Sequence, residues 1–135
     1  MQALKAVDAA AVVAERIADV LEIAASAAPV PEDLGAALPC AVVYNVGGYR
    51  DAAARVLDTA ALSIDVYGET HKQAMDACRT VAALVNALQD ADGSPQVYRS
   101  PITTEPYDNP DPMHPTIPRA TCAADIVTRG EVINF

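Results

Sequence analysis

The hydrophobic period of this chain changes at a single glycine. In ALSIDVY, residues 61–67, apolar and polar side chains alternate. Leu62, Ile64 and Val66 fall on one side; Ser63, Asp65 and Tyr67 fall on the other, which reads as a wet face. After Gly68 the period lengthens. Ala74, Ala77, Cys78, Val81, Val85 and Leu88 recur at steps of three and four, the spacing of a helix with one buried face. A half-buried strand running into an amphipathic helix calls for a sheet with helices layered on it.

The same stretch holds the densest group of polar residues, Asp65, Tyr67, Glu69, Thr70, His71 and Lys72. Thr70 and Gln73 have the T-x-x-Q spacing of a capping box. There the threonine hydroxyl accepts from the Gln73 N–H, and the glutamine reaches back to the N–H of Thr70. Glu69 suits the positive end of the helix dipole. A phosphate loop needs several glycines at such a turn, and this one has only Gly68. The cluster therefore reads as scaffold.

Around this unit the remaining elements follow. Residues 2–26 show helical spacing of Ala10, Val13, Ile17, Val20, Leu21 and Ala24, with Asp8, Glu15, Asp19 and Glu22 opposite. CAVVYNV, residues 40–46, lies between Pro39 and Gly47-Gly48 and reads as a strand. Residues 47–59 read as a loop and 60–67 as a strand. The helix covers 70–89. Seven of the ten prolines lie between Pro95 and Pro118. That leaves a strand at 95–104 interrupted at Pro101, a stiff proline-rich loop at 105–118, and a strand at 119–129. The expectation is one α+β domain over residues 1–135 in the order α-β-β-α-β-β. It has a four-stranded, mostly antiparallel sheet with two helices packed on one face.

Several functions find little support. The net charge is −9 and no run of lysines or arginines occurs, which disfavours sequence-specific DNA binding. Cys40, Cys78 and Cys122 are too widely spaced for a zinc or redox pair and read as buried, reduced thiols. No signal peptide and no apolar stretch of membrane-spanning length is read from the sequence. Asp108, Asp111 and His114 lack a recognised metal spacing, and no G-x-S-x-G is present. No cofactor, metal or catalytic residue is expected. The interaction candidates are Tyr49, Arg50 and Arg55 in the 46–58 excursion, and Asp111 and His114 in the proline-rich loop.

The stretches PCAVVYNVGGYRD, TAALSIDVYGETHKQAMDACRTVAALVNAL and RATCAADIVTRG together resemble the tail terminator proteins of long-tailed bacteriophages. The resemblance runs from the first helix to Arg129, and ALSIDVYGETHKQAMDAC is its most specific part. It implies a non-enzymatic ring subunit, commonly in a hexamer, placed in the virion at the head–tail junction after assembly in the host cytoplasm. Such a ring caps the tail tube, stops its polymerisation and offers a surface to the head-side neck or connector protein. The implied partners are other copies of itself, the major tail tube protein and that neck protein. Viral DNA passes through the lumen without sequence-specific binding, and no membrane is involved. An acidic lumen would repel the passing DNA rather than hold it. Two alternatives stand beside this reading: another small neck protein, or a small-ligand-binding regulatory α+β domain.

Overall fold

The computed structural model describes residues Met1–Phe135. It holds eight strands and two α-helices. These are β1 (Gln2–Lys5), α1 (Ala9–Leu21), β2 (Ala24–Ala27), β3 (Cys40–Arg50), β4 (Leu57–Tyr67), α2 (His71–Ala87), β5 (Val97–Arg99), β6 (Ile102–Asp108), β7 (Arg119–Arg129) and β8 (Glu131–Asn134). The class is α+β, but the sheet is not four-stranded. Six strands form one sheet in the order β2-β3-β4-β7-β5, with β6 also paired to β7, and β1 and β8 form a separate two-stranded ribbon.

The centre of the sheet is the β4–β7 pair, antiparallel and unbroken from Leu57↔Arg129 to Tyr67↔Arg119. Its alternation sends Leu62, Ile64 and Val66 from β4, and Ala120, Cys122, Ala124 and Ile126 from β7, into one core with both helices. α1 contributes Val13 and Ile17; α2 contributes Cys78, Val81 and Val85. Burying each of the larger aliphatic side chains stabilises the fold by roughly 1.5–3 kcal/mol. The small side chains Ala120 and Ala124 let α2 sit close to β7.

Several boundaries differ from the sequence reading. The expected helix 2–26 is a strand, a helix and a strand. α1 is capped at its start by Asp8, whose carboxylate accepts from the Ala11 N–H, and after its end by Glu22 in the left-handed region (φ 54°). Ala24–Ala27 then pairs parallel with Cys40–Val43 at the sheet edge. Alanine's high helix propensity hides this strand, since a run of alanines offers a helix and an edge strand the same small apolar faces.

The expected loop 47–59 is mostly hairpin. β3 continues to Arg50 and β4 begins at Leu57, with a register shift between Asn45 and Gly48. Gly47 and Gly48 have φ of 127° and 138°, so the glycine pair serves a bulge rather than ending the strand. The expected strand 95–104 divides around Ser100-Pro101 into β5 and β6. β6 carries on through Pro106 to Asp108, so the loop proper spans 109–118. Pro106 is tolerated because β6 is an edge strand paired irregularly with β7. The strand expected at 119–129 is β7 with the same bounds.

Candidate functional site

The side of β4 that reads as wet is buried where it matters. Tyr67 is fully buried and Asp65 is 8% exposed. They face away from the helices, beneath loops 28–39 and 109–118. Tyr67 joins Leu34, Cys40 and Val42 in a second small core, with Val30, Leu38, Tyr44 and Ile117 at its margin.

Beside it lies a polar cluster built by three elements. The Tyr67 hydroxyl donates to Asp111 Oδ2 at 2.7 Å. The backbone N–H of Met113 donates to Asp111 Oδ1 at 2.9 Å, and His114 Nδ1 lies 3.0 Å from Asp111 Oδ2. Arg119 Nη1 lies 3.6 Å from the same carboxylate and 3.4 Å from Asp65. Arg119 also donates to two loop carbonyls, Asn109 at 2.6 Å and Pro110 at 3.2 Å. Thr121 donates to Asp65 at 2.7 Å and accepts from Asn109 Nδ2 at 3.0 Å. The His114 ring meets Tyr67 edge to face, centroids 6.2 Å apart.

The electrostatics follow from that geometry. Burial pushes the Asp111 carboxyl upward, but the hydrogen bonds from Tyr67, His114 and Met113, with Arg119 nearby, outweigh it and hold the group at about 2. Burial first, then the bond to Asp111, drives the Tyr67 phenol well above its ordinary value. Burial opposes the charge on Arg119, yet Tyr67 and the two carboxylates raise it further. Asp111 is thus an anion at neutral pH, held among fixed donors. The cluster ties the proline-rich loop to the sheet, and both carboxylates are fully engaged in doing so.

The sequence candidates therefore divide. Asp111 and His114 come together, with Asp111 7% exposed and His114 half-buried. Asp108 points elsewhere and pairs with His71 at 3.3 Å. Tyr49, Arg50 and Arg55 lie on the outer half of the β3–β4 hairpin, where residues 45–50 are all exposed. Arg50 clamps that end: Nε donates to Asp58 at 2.8 Å and Nη2 to the Leu4 carbonyl at 2.9 Å, joining the β1–β8 ribbon to the hairpin. Tyr49 is 66% exposed, and Val46 beside it is 64% exposed. Sequence reasoning missed Tyr67, Arg119 and Asp65 as partners of Asp111. Nothing in their spacing, 44 and 8 residues from Asp111 for the first two, signals that the loop folds back over them.

The capping box is present with one change. Thr70 Oγ1 accepts from the Gln73 N–H at 3.0 Å, while Gln73 Oε1 accepts from the N–H of Glu69, not Thr70, at 2.6 Å. Cys78 and Cys122 are fully buried where α2 meets β7. The neighbouring Cys122 thiol, then burial, pushes the Cys78 thiol well above the ordinary range. Burial, then the nearby Asp33, raises Cys40 to about 11.

No protein-family model matches the chain, and comparison with curated proteins gives no match.

Proposed function

We propose that this protein is a structural subunit of a phage tail, a tail-terminator-like ring protein that caps the tube and presents a surface to the head-side neck protein. The observation that carries the reading is the stretch 59–88. The residues that bear the family resemblance fold as one strand, one capped turn and one helix at the centre of the molecule. Two features of the surface support it. The outer β3–β4 hairpin leaves Val46 and Tyr49 bare, and tyrosine is enriched at the hot spots of protein interfaces. The 109–118 loop, stiffened by proline and pinned by Asp111, is a preorganised platform that loses little entropy on docking.

In this role the chain does no chemistry. It assembles with copies of itself as a ring, about six if the resemblance extends to copy number. It contacts the tube protein on one side and the neck protein on the other, and DNA crosses its lumen unbound. Five surface depressions have volumes between about 290 and 480 Å³, and each of these is lined mainly by residues that are not hydrophobic. A small-ligand domain would instead offer a largely apolar enclosed pocket. The test is native mass spectrometry and negative-stain microscopy of the purified chain, alone and with its tube protein. Rings support the reading. A monomer in both conditions, with a melting temperature raised by a metabolite, refutes it.

A further inference from the structure

Two oppositely charged surfaces on this molecule lack partners, and they lie on opposite sides of the sheet. On the face away from the helices, the outer rows read Tyr49–Thr59–Val127–Arg99 and Leu57–Arg129 across neighbouring strands. Leu57, Thr59 and Val127 are half-buried here, and Tyr49 is exposed. Arg99 and Arg129 are exposed at its rim, as is Arg55 in the turn beyond it, and none of the three pairs with an acid. That is unusual in a chain with 18 acidic and 9 basic residues. Two half-buried acids share this stretch of the face: Asp125, and Asp51, whose carboxylate is taken up by the Ala53 and Ala54 N–H groups of its own turn.

The second surface is the outer side of α1. Glu15, Asp19 and Glu22 are exposed at steps of four and three, and Val20 between them is 59% exposed. Like charges at this spacing repel. The last turn of the helix has no base, so Asp19 and Glu22 also face the negative end of the helix dipole. Arg16, the one base on α1, is spent on the Pro95 carbonyl at 3.2 Å.

We propose that the arginine-rimmed sheet face of one copy docks on the acidic C-terminal end of α1 in a second copy. The proposal rests on the ring reading above and gives that ring its contact. Within one copy the two surfaces cannot meet, because the sheet separates them. Between copies, cations that lack acids meet acids that lack cations, with Tyr49 and Val20 supplying apolar contact. Joining two different patches is a heterologous contact, which closes into a ring when the rotation allows.

The experiment is sedimentation velocity and native mass spectrometry of the full chain at Debye lengths of about 30 Å and about 3 Å. The variants are Arg55→Glu/Arg129→Glu and Asp19→Lys/Glu22→Lys. All four sites are exposed, and urea melts check that the variants stay folded. Each variant alone should assemble about tenfold or more weakly at low salt. An equimolar mixture of the two should recover assembly, because every contact in an alternating ring then joins opposite charges. Rings of unchanged stability in both variants, or no recovery on mixing, would overturn the docking proposal and leave the ring reading standing. A wild-type chain that stays monomeric at every concentration and with the tube protein overturns both.

Discussion

Replacing Asp111 by Asn keeps the shape of the loop-pinning cluster and removes its charge. The carboxyl sits at about 2 against an ordinary 3.8, and at about 1.4 kcal/mol per pKa unit that gap is worth roughly 2 kcal/mol of folding stability. An independent route gives a similar size. The substitution weakens charge-assisted bonds from Tyr67 and Met113 and leaves Arg119 with one carboxylate fewer. Losing a buried hydrogen bond to a charged group costs about 1.5–3 kcal/mol. Asp111→Asn should therefore lower stability at neutral pH by about 2–3 kcal/mol, read from urea unfolding midpoints at constant slope. The pH dependence has a definite sign. The folded pKa lies below the unfolded one, so the unfolded chain takes up the proton first. The contribution is complete above about pH 4 and fades as pH falls toward 2. Between those values the wild type should lose stability more steeply than Asp111→Asn, and the two should converge near pH 2. Equal stability at pH 7, or parallel acid profiles, would show that the cluster does not hold the loop.

Other perturbations test single elements. Thr70→Ala removes the cap on the Gln73 N–H and should cost about 1 kcal/mol in the same assay; an unchanged midpoint would argue against the cap. At Gly48 an added Cβ would overlap the Thr59 carbonyl oxygen, whereas at Gly47 it meets open space, although φ is positive at both. Gly48→Ala should thus disturb the hairpin register in NMR spectra, while Gly47→Ala meets no clash and costs backbone strain alone, about 1–3 kcal/mol. Arg50→Ala releases the ribbon from the hairpin; amide exchange should quicken at residues 2–5 and 131–134, with a global change below about 1 kcal/mol.

What could be read from the sequence depended on whether a residue's partners lay nearby. The cap at Thr70 and the helical stripe from Ala74 to Leu88 are local patterns, and both appear in the structure, the stripe ending in a short 3₁₀ turn. β7 is legible because alternation and its flanking residues agree. The second burial of β4 was not legible. Period two separates Leu62, Ile64 and Val66 from Asp65 and Tyr67, but only chain segments distant in sequence decide what covers the other face. Likewise Gly47-Gly48 signals unusual backbone without telling a bulge from a turn. For the candidate site, the loop residues Asp111 and His114 stood out as a carboxylate and an imidazole among prolines. Their role depends on Tyr67 and Arg119, which no spacing rule connects to them. Tyr49 and Arg55 were visible as exposed hot-spot types, and the structure leaves both exposed on the hairpin.

The proposed role is assembly into a ring rather than catalysis. Native mass spectrometry of the purified chain with its tube protein tests it most directly. The expected result is a closed ring of about six copies that stops tube growth. A chain that remains monomeric there, while tubes grow to unlimited length, would contradict it.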